Sequence, residues 1–161
     1  MPACFFGLRA KAFIWEFDMA LKNVKIEIDS LVEDLDDSGL VSDSSRTSAT
    51  AEGVMTTDEK ETVISYSETA ENERTDSVIS LRSGSVSVKR TGALTCDFLF
   101  SEGETTSTLY SVGPYSFDAE IYTRKIRSSI DASGGEITLI YDMTLGGAKK
   151  KTKMKIRVSE K

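Results

Sequence analysis

A chain of 161 residues has room for one ordinary domain and not for two. At 39% hydrophobic and 29% charged it can bury a core, which excludes disorder throughout, and a net charge of −6 excludes a generally basic nucleic-acid binder. The absence of histidine removes the commonest general base and metal ligand; two cysteines, Cys4 and Cys96, make no disulfide framework and suit a thiol-reducing, cytoplasmic setting.

Serine and threonine together supply 37 residues, most of them alternating with Val, Ile, Leu, Phe and Tyr. Hydroxyl and β-branched side chains suit a pleated, half-buried strand and disfavour helix interiors. Residues 1–18 carry Arg9, Lys11, Glu16 and Asp18, too many charges for a signal peptide, and fall short of a membrane-spanning run. They are expected to form, with the next two residues, an N-terminal extension (1–20) outside a single domain over 21–161. The other reading makes them an amphipathic peptide gripping a partner or membrane surface through Phe5, Phe6, Phe13 and Trp15.

From Val24 onward the apolar period is two. Val24, Ile26 and Ile28 mark a first strand, followed by an acidic turn over Glu33–Gly39. Strands are predicted over Thr47–Met55, Thr62–Thr69 and Ser77–Arg82, with a polar turn at Glu71–Arg74. Ser83-Gly84 reads as a two-residue hairpin loop into Val86–Thr91, since glycine accepts positive φ. Leu94, Cys96, Phe98 and Phe100 share one face of the next strand. Thr106–Val112 and Tyr115–Ser129 flank Gly113-Pro114; Glu136–Leu145 and Thr152–Ser159 complete the pattern around Gly146-Gly147. About ten sequential strands, each with one apolar face, must close on themselves or stack. The expected fold is all-β, an antiparallel up-and-down β-barrel of about 8–10 strands, with a two-sheet sandwich as the alternative.

Several of these stretches carry a resemblance. Ile64-Ser-Tyr-Ser-Glu-Thr69, Val86-Ser-Val-Lys-Arg90-Thr-Gly92, Phe98-x-Phe100-x-x-Gly103, Tyr110, Thr123 and Gly135-x-Ile137-x-Leu139-x-Tyr141-Asp142 are spaced as in the YwiB-like family. These are small bacterial proteins catalogued as a domain of unknown function. The resemblance covers roughly residues 22–159 and implies a lipocalin-like (calycin-type) barrel with an interior cavity. It implies no activity, cofactor or catalytic residue. The chain departs from the family at Val112-Gly-Pro-Tyr115, where a Thr-Pro-x-Gly turn is usual.

Two charges share parity with apolar faces. Arg90 follows Val86 and Val88 at spacing two, and Glu68 follows Ile64 and Tyr66, so both are expected to point inward. A buried guanidinium is costly unless paired. Two readings follow: an Arg90–Glu68 ion pair closing the core, or Arg90 as the hook for an anionic ligand, helped by Tyr66, Tyr110 and Tyr141.

Other features have plainer readings. Asp34-x-Asp36-x-Ser38-Gly39 copies the opening of a calcium loop, but Ser45 stands where the bidentate glutamate belongs, so a solvated turn is expected and no metal site. Lys149, Lys151, Lys153, Lys155 and Arg157 line an outer strand face, read either as protection against edge pairing or as a contact for an anionic partner. No aromatic residue interleaves with them, which argues against nucleic acid. Residues 1–80 carry 7 basic and 17 acidic side chains, residues 81–161 carry 13 and 9. That segregation fits either complementary neighbours within one barrel or homo-oligomerisation. No catalytic or dinucleotide motif is present, and Cys96 shares the parity of core residues. The expectation is a non-catalytic barrel without cofactor, holding a small partly apolar or anionic ligand, or alternatively serving as an interaction module through its outer surface.

Overall fold

The computed structural model describes residues 20–161. The expectations for the N-terminal extension lie outside these residues, apart from Ala20, which opens the first strand. Ten strands follow one another: β1 (Ala20–Leu35), β2 (Val41–Thr57), β3 (Glu61–Ala70), β4 (Glu73–Arg82), β5 (Ser85–Gly92), β6 (Leu94–Ser101), β7 (Thr105–Val112), β8 (Tyr115–Ser128), β9 (Gly134–Leu145) and β10 (Ala148–Glu160). Each pairs antiparallel with the next, and β10 pairs with β1, so the sheet is a closed up-and-down barrel. Closure leaves no unpaired strand at either side of the sheet, although the first half of β2 extends beyond its pairing with β3. The sandwich alternative is thereby set aside. No helix among the described residues is long and apolar enough to cross a membrane.

Period two puts one apolar face of every strand inside. Val24 and Ile26, Ile64, Ile79, Val86, Phe100, Ile121, Ile137, Leu139 and Ile156 are almost fully buried. At roughly 25 cal/mol per Å² of apolar surface, this lining is the main stabilising term. Two-residue loops set the register. Ser83-Gly84 joins paired Arg82 and Ser85 as expected, and Gly113-Pro114 joins paired Val112 and Tyr115, so the departure from the family's usual turn leaves the hairpin intact.

Several boundaries differ from the expected ones: β2, β4 and β10 begin earlier, at Val41, Glu73 and Ala148, and the polar turn expected over Glu71–Arg74 narrows to Glu71-Asn72 because Glu73 and Arg74 pair with Ala70 and Thr69. The predicted acidic turn begins too early, because Glu33 and Asp34 continue β1 opposite Lys151 and Lys150 of β10. Cross-strand charge pairing overrides the local polarity of this stretch. The turn itself is Asp36–Leu40, closed by Asp36 Oδ1, which accepts hydrogen bonds from the Ser38 amide and hydroxyl and from the Leu40 amide. Those bonds, Ser38 first, hold the Asp36 carboxyl below its ordinary range. In β8 a register shift between Thr123 and Lys125 inserts one residue, so the inward series Ile121, Thr123 resumes at Ile126.

A polar row inside the barrel: candidate ligand site

Arg90 faces inward, as its parity requires. It stands opposite buried Ser77 on one side and buried Cys96 on the other. Cross-strand partners share a face, so the register builds one continuous row: Gly53, Tyr66, Ser77, Arg90 and Cys96 across β2 to β6. Gly53 is required here. A Cβ at this position would overlap the Ser65 carbonyl oxygen and press on Tyr66 Cβ at 2.9 Å. The close approach fixes Tyr66 against β2.

The ion pair expected between Arg90 and Glu68 is not formed. Arg90 has no ion-pair partner among the described residues, and its buried Nε has no hydrogen-bond partner. The register gives the reason. Glu68 lies in the next row, opposite Thr75, which itself opposes Gly92. It is also two strands from Arg90, about 9.6 Å laterally at the usual strand spacing. The β2–β3 ladder ends at Gly53 and Tyr66, so Glu68 is half-exposed beside the end of that seam.

A cavity of about 130 Å³ opens in front of Arg90, walled by Val88, Phe98, Phe100, Tyr110, Tyr141, Met143 and Met154. Its aromatic rings form a chain. Tyr110 stacks on Phe98 with centroids 6.1 Å apart, Phe98 meets Phe100 edge-on at 6.2 Å, and Phe100 tilts against Tyr141 at 4.8 Å. Tyr141 lies between buried Thr123 and Thr152. The buried hydroxyls of Tyr66, Ser77, Thr123 and Thr152 have each other and Arg90 or Tyr141 as polar neighbours, Tyr66 beside Ser77 and Tyr141 beside Thr152, so the Arg90 row and the Tyr141 row form a polar belt within an apolar barrel.

Burial governs the titration of this belt. It pushes Tyr141 up to about 12 and raises Tyr66, Tyr110 and Cys96 above their ordinary values, with the Arg90 charge pulling each of the four down in part. All four are therefore protonated at neutral pH. They can donate hydrogen bonds and none offers a base.

Of the five site residues drawn from sequence, the structure brings together Arg90, Tyr110 and Tyr141 on the cavity wall and places Tyr66 in the Arg90 row with Ser77 between them; Glu68 stands apart. Sequence reasoning missed Lys150 and Asp34. Both share inward parity with Thr152, and Lys150 Nζ donates to Asp34 Oδ1 at 2.6 Å near Tyr110. The odd-numbered cations beside Lys150 drew the eye to the outer face, although the same alternation places Lys150 inside.

That outer stripe is where parity puts it, but β10 is flanked by β9 and β1 and is no edge. A larger depression of about 500 Å³ lies at the opposite end of the barrel among turn residues. Its strand-borne cation, Arg82, is already paired with Glu61 at 2.8 Å.

No curated protein matches the chain. The crystal structure of the YwiB protein from Bacillus subtilis superposes with a TM-score of 0.77 at 22% identity, covering 89% of this chain and 95% of that one. At that identity the likeness establishes the barrel alone. The sequence pattern of the Domain of unknown function (DUF1934) family matches residues 37–157, which span β2 to most of β10. By that match, and in agreement with the resemblance read from the strand spacing, the chain belongs to the DUF1934, YwiB-like family.

Proposed function

We propose that the barrel is a non-catalytic binding module that holds a small, partly apolar anionic ligand in the cavity before Arg90. The observation that carries this reading is Arg90 itself, a half-buried cation on the wall of an aromatic-lined cavity with no ion-pair partner among the described residues. Retaining such a group is unfavourable for the empty fold. A bound anion offsets that cost with charge-assisted hydrogen bonds. The protonated state of Tyr66, Tyr110, Tyr141 and Cys96 supports binding over proton transfer. Native mass spectrometry of the protein as purified from cells tests the reading. The expected spectrum contains an added small mass that is absent from Arg90→Leu. A ligand retained equally by both proteins contradicts it.

A second use of the molecule is favoured by one observation on the outer wall. Arg46, Lys153 and Lys125 stand in one cross-strand row with Leu31 and Ile140 between them, and none is in an ion pair among the described residues. This wall suits an anionic partner, whose binding should weaken steeply with salt and fail in Lys153→Glu.

A further inference from the structure

The cavity constrains the ligand's charge, size and shape together, and this inference rests on the reading of Arg90 as an anchor. We infer that the site selects a monovalent carboxylic acid with one compact, flat apolar body of benzene size.

Charge comes first. Arg90 is the one cation on the cavity wall, and Lys150, a second inward cation near Tyr110, is paired with Asp34 at 2.6 Å. A monoanion balances Arg90, whereas a dianion leaves one negative charge uncompensated against the aromatic wall. The guanidinium fork matches a carboxylate in two parallel hydrogen bonds, and with Nε buried it is the two terminal nitrogens of Arg90 that can offer them to the cavity.

Size follows from the cavity volume of about 130 Å³. An apolar cavity of about 150 Å³ accommodates benzene, whereas drug-sized ligands occupy roughly 300 Å³ or more. A long acyl chain therefore cannot be held wholly within it. Shape follows from the walls: the rings of Tyr110 and Phe98 stack with only 15° between their planes, and Phe100 and Tyr141 close the other side. A planar ring continues that series, and Met143 and Met154 are adaptable fillers around it.

The experiment titrates the full ¹⁵N-labelled chain with four probes and reads amide shifts at Arg90, Cys96, Tyr110 and Met143. Benzoate has both charge and ring, benzyl alcohol the ring alone, inorganic phosphate the charge alone, and octanoate the charge on a long chain. Benzoate is expected to shift these amides saturably and to bind at least tenfold tighter than each other probe. Arg90→Leu, whose fold the same spectrum reports, should weaken benzoate at least tenfold and leave benzyl alcohol unchanged. If Arg90→Leu does not fold, Arg90→Gln replaces it. Phosphate or octanoate binding as tightly as benzoate, with dependence on Arg90, overturns the ligand class and leaves the anchor standing. Benzyl alcohol matching benzoate, no anion shifting these amides, or benzoate binding undiminished in the Arg90 variant overturns the anchor itself.

Discussion

Burial separates the tyrosines of the cavity from ordinary surface tyrosines, and this sets a pH response. Tyr141 ionises at about 12 in the folded chain, against about 10 when unfolded. Its protonated form is favoured by the fold, so its contribution is constant below pH 10. As pH rises from 10 toward 12 the unfolded chain loses this proton first, and stability falls by about 3 kcal/mol across that window. Urea unfolding followed between pH 8 and 12 should show the decline, and Tyr141→Phe should flatten it. Inward parity made Arg90, Tyr66 and Tyr141 legible from spacing alone. The absence of an Arg90–Glu68 pair was not, because parity fixes a face and says nothing of which row on a neighbouring strand stands opposite.

Strand by strand, the alternation of Val, Ile and Phe with Ser, Thr and Lys made all ten elements legible, including the Ser83-Gly84 loop. What local pattern could not show was the length of β1 and β2. The second half of β1 breaks strict alternation, the first half of β2 is mostly Ser, Thr and Asp, and both are held by partners on neighbouring strands, Asp34 by Lys150, Asp29 by Arg157 and Ser48 by Asp29. The bulge at Arg124 was equally hidden, since Arg124 meets Asp142 at 2.6 Å only once β8 and β9 are paired. Two expectations belong to β2. Gly53→Ala pushes a methyl into the Ser65 carbonyl, which is backbone and cannot yield, and should cost about 1–3 kcal/mol in denaturant unfolding. Between Asp43 and Glu52, β2 pairs with β1 but has no β3 partner. Hydrogen exchange should therefore alternate along this stretch, with amides facing β1 protected and the others fast. Uniform protection would mean that this edge is covered.

At the scale of the whole molecule, the acidic N-terminal half and the basic C-terminal half lie side by side across the β1–β10 seam that closes the barrel. Lys150–Asp34, Arg157–Asp29 and Lys22–Glu160 join β1 and β10, and Lys161–Glu52 joins the chain end to β2. Three of these four pairs match an acidic side chain of the N-terminal half with a basic one of the C-terminal half, so part of the charge segregation is met within one barrel. These pairs are largely exposed, each contributing about 0–1 kcal/mol, and closure rests on the apolar interior. On the inner face of the barrel wall stands one half-buried cation, Arg90, that no described residue neutralises. Equilibrium unfolding of the ligand-free protein, comparing the wild type with Arg90→Leu, tests this most directly. The account predicts that Arg90→Leu is as stable as the wild type or more so, with no coupling to Glu68→Gln in a double-mutant cycle. A loss of about 3–5 kcal/mol, with coupling above about 1 kcal/mol to Glu68, would show a buried pair instead and contradict it.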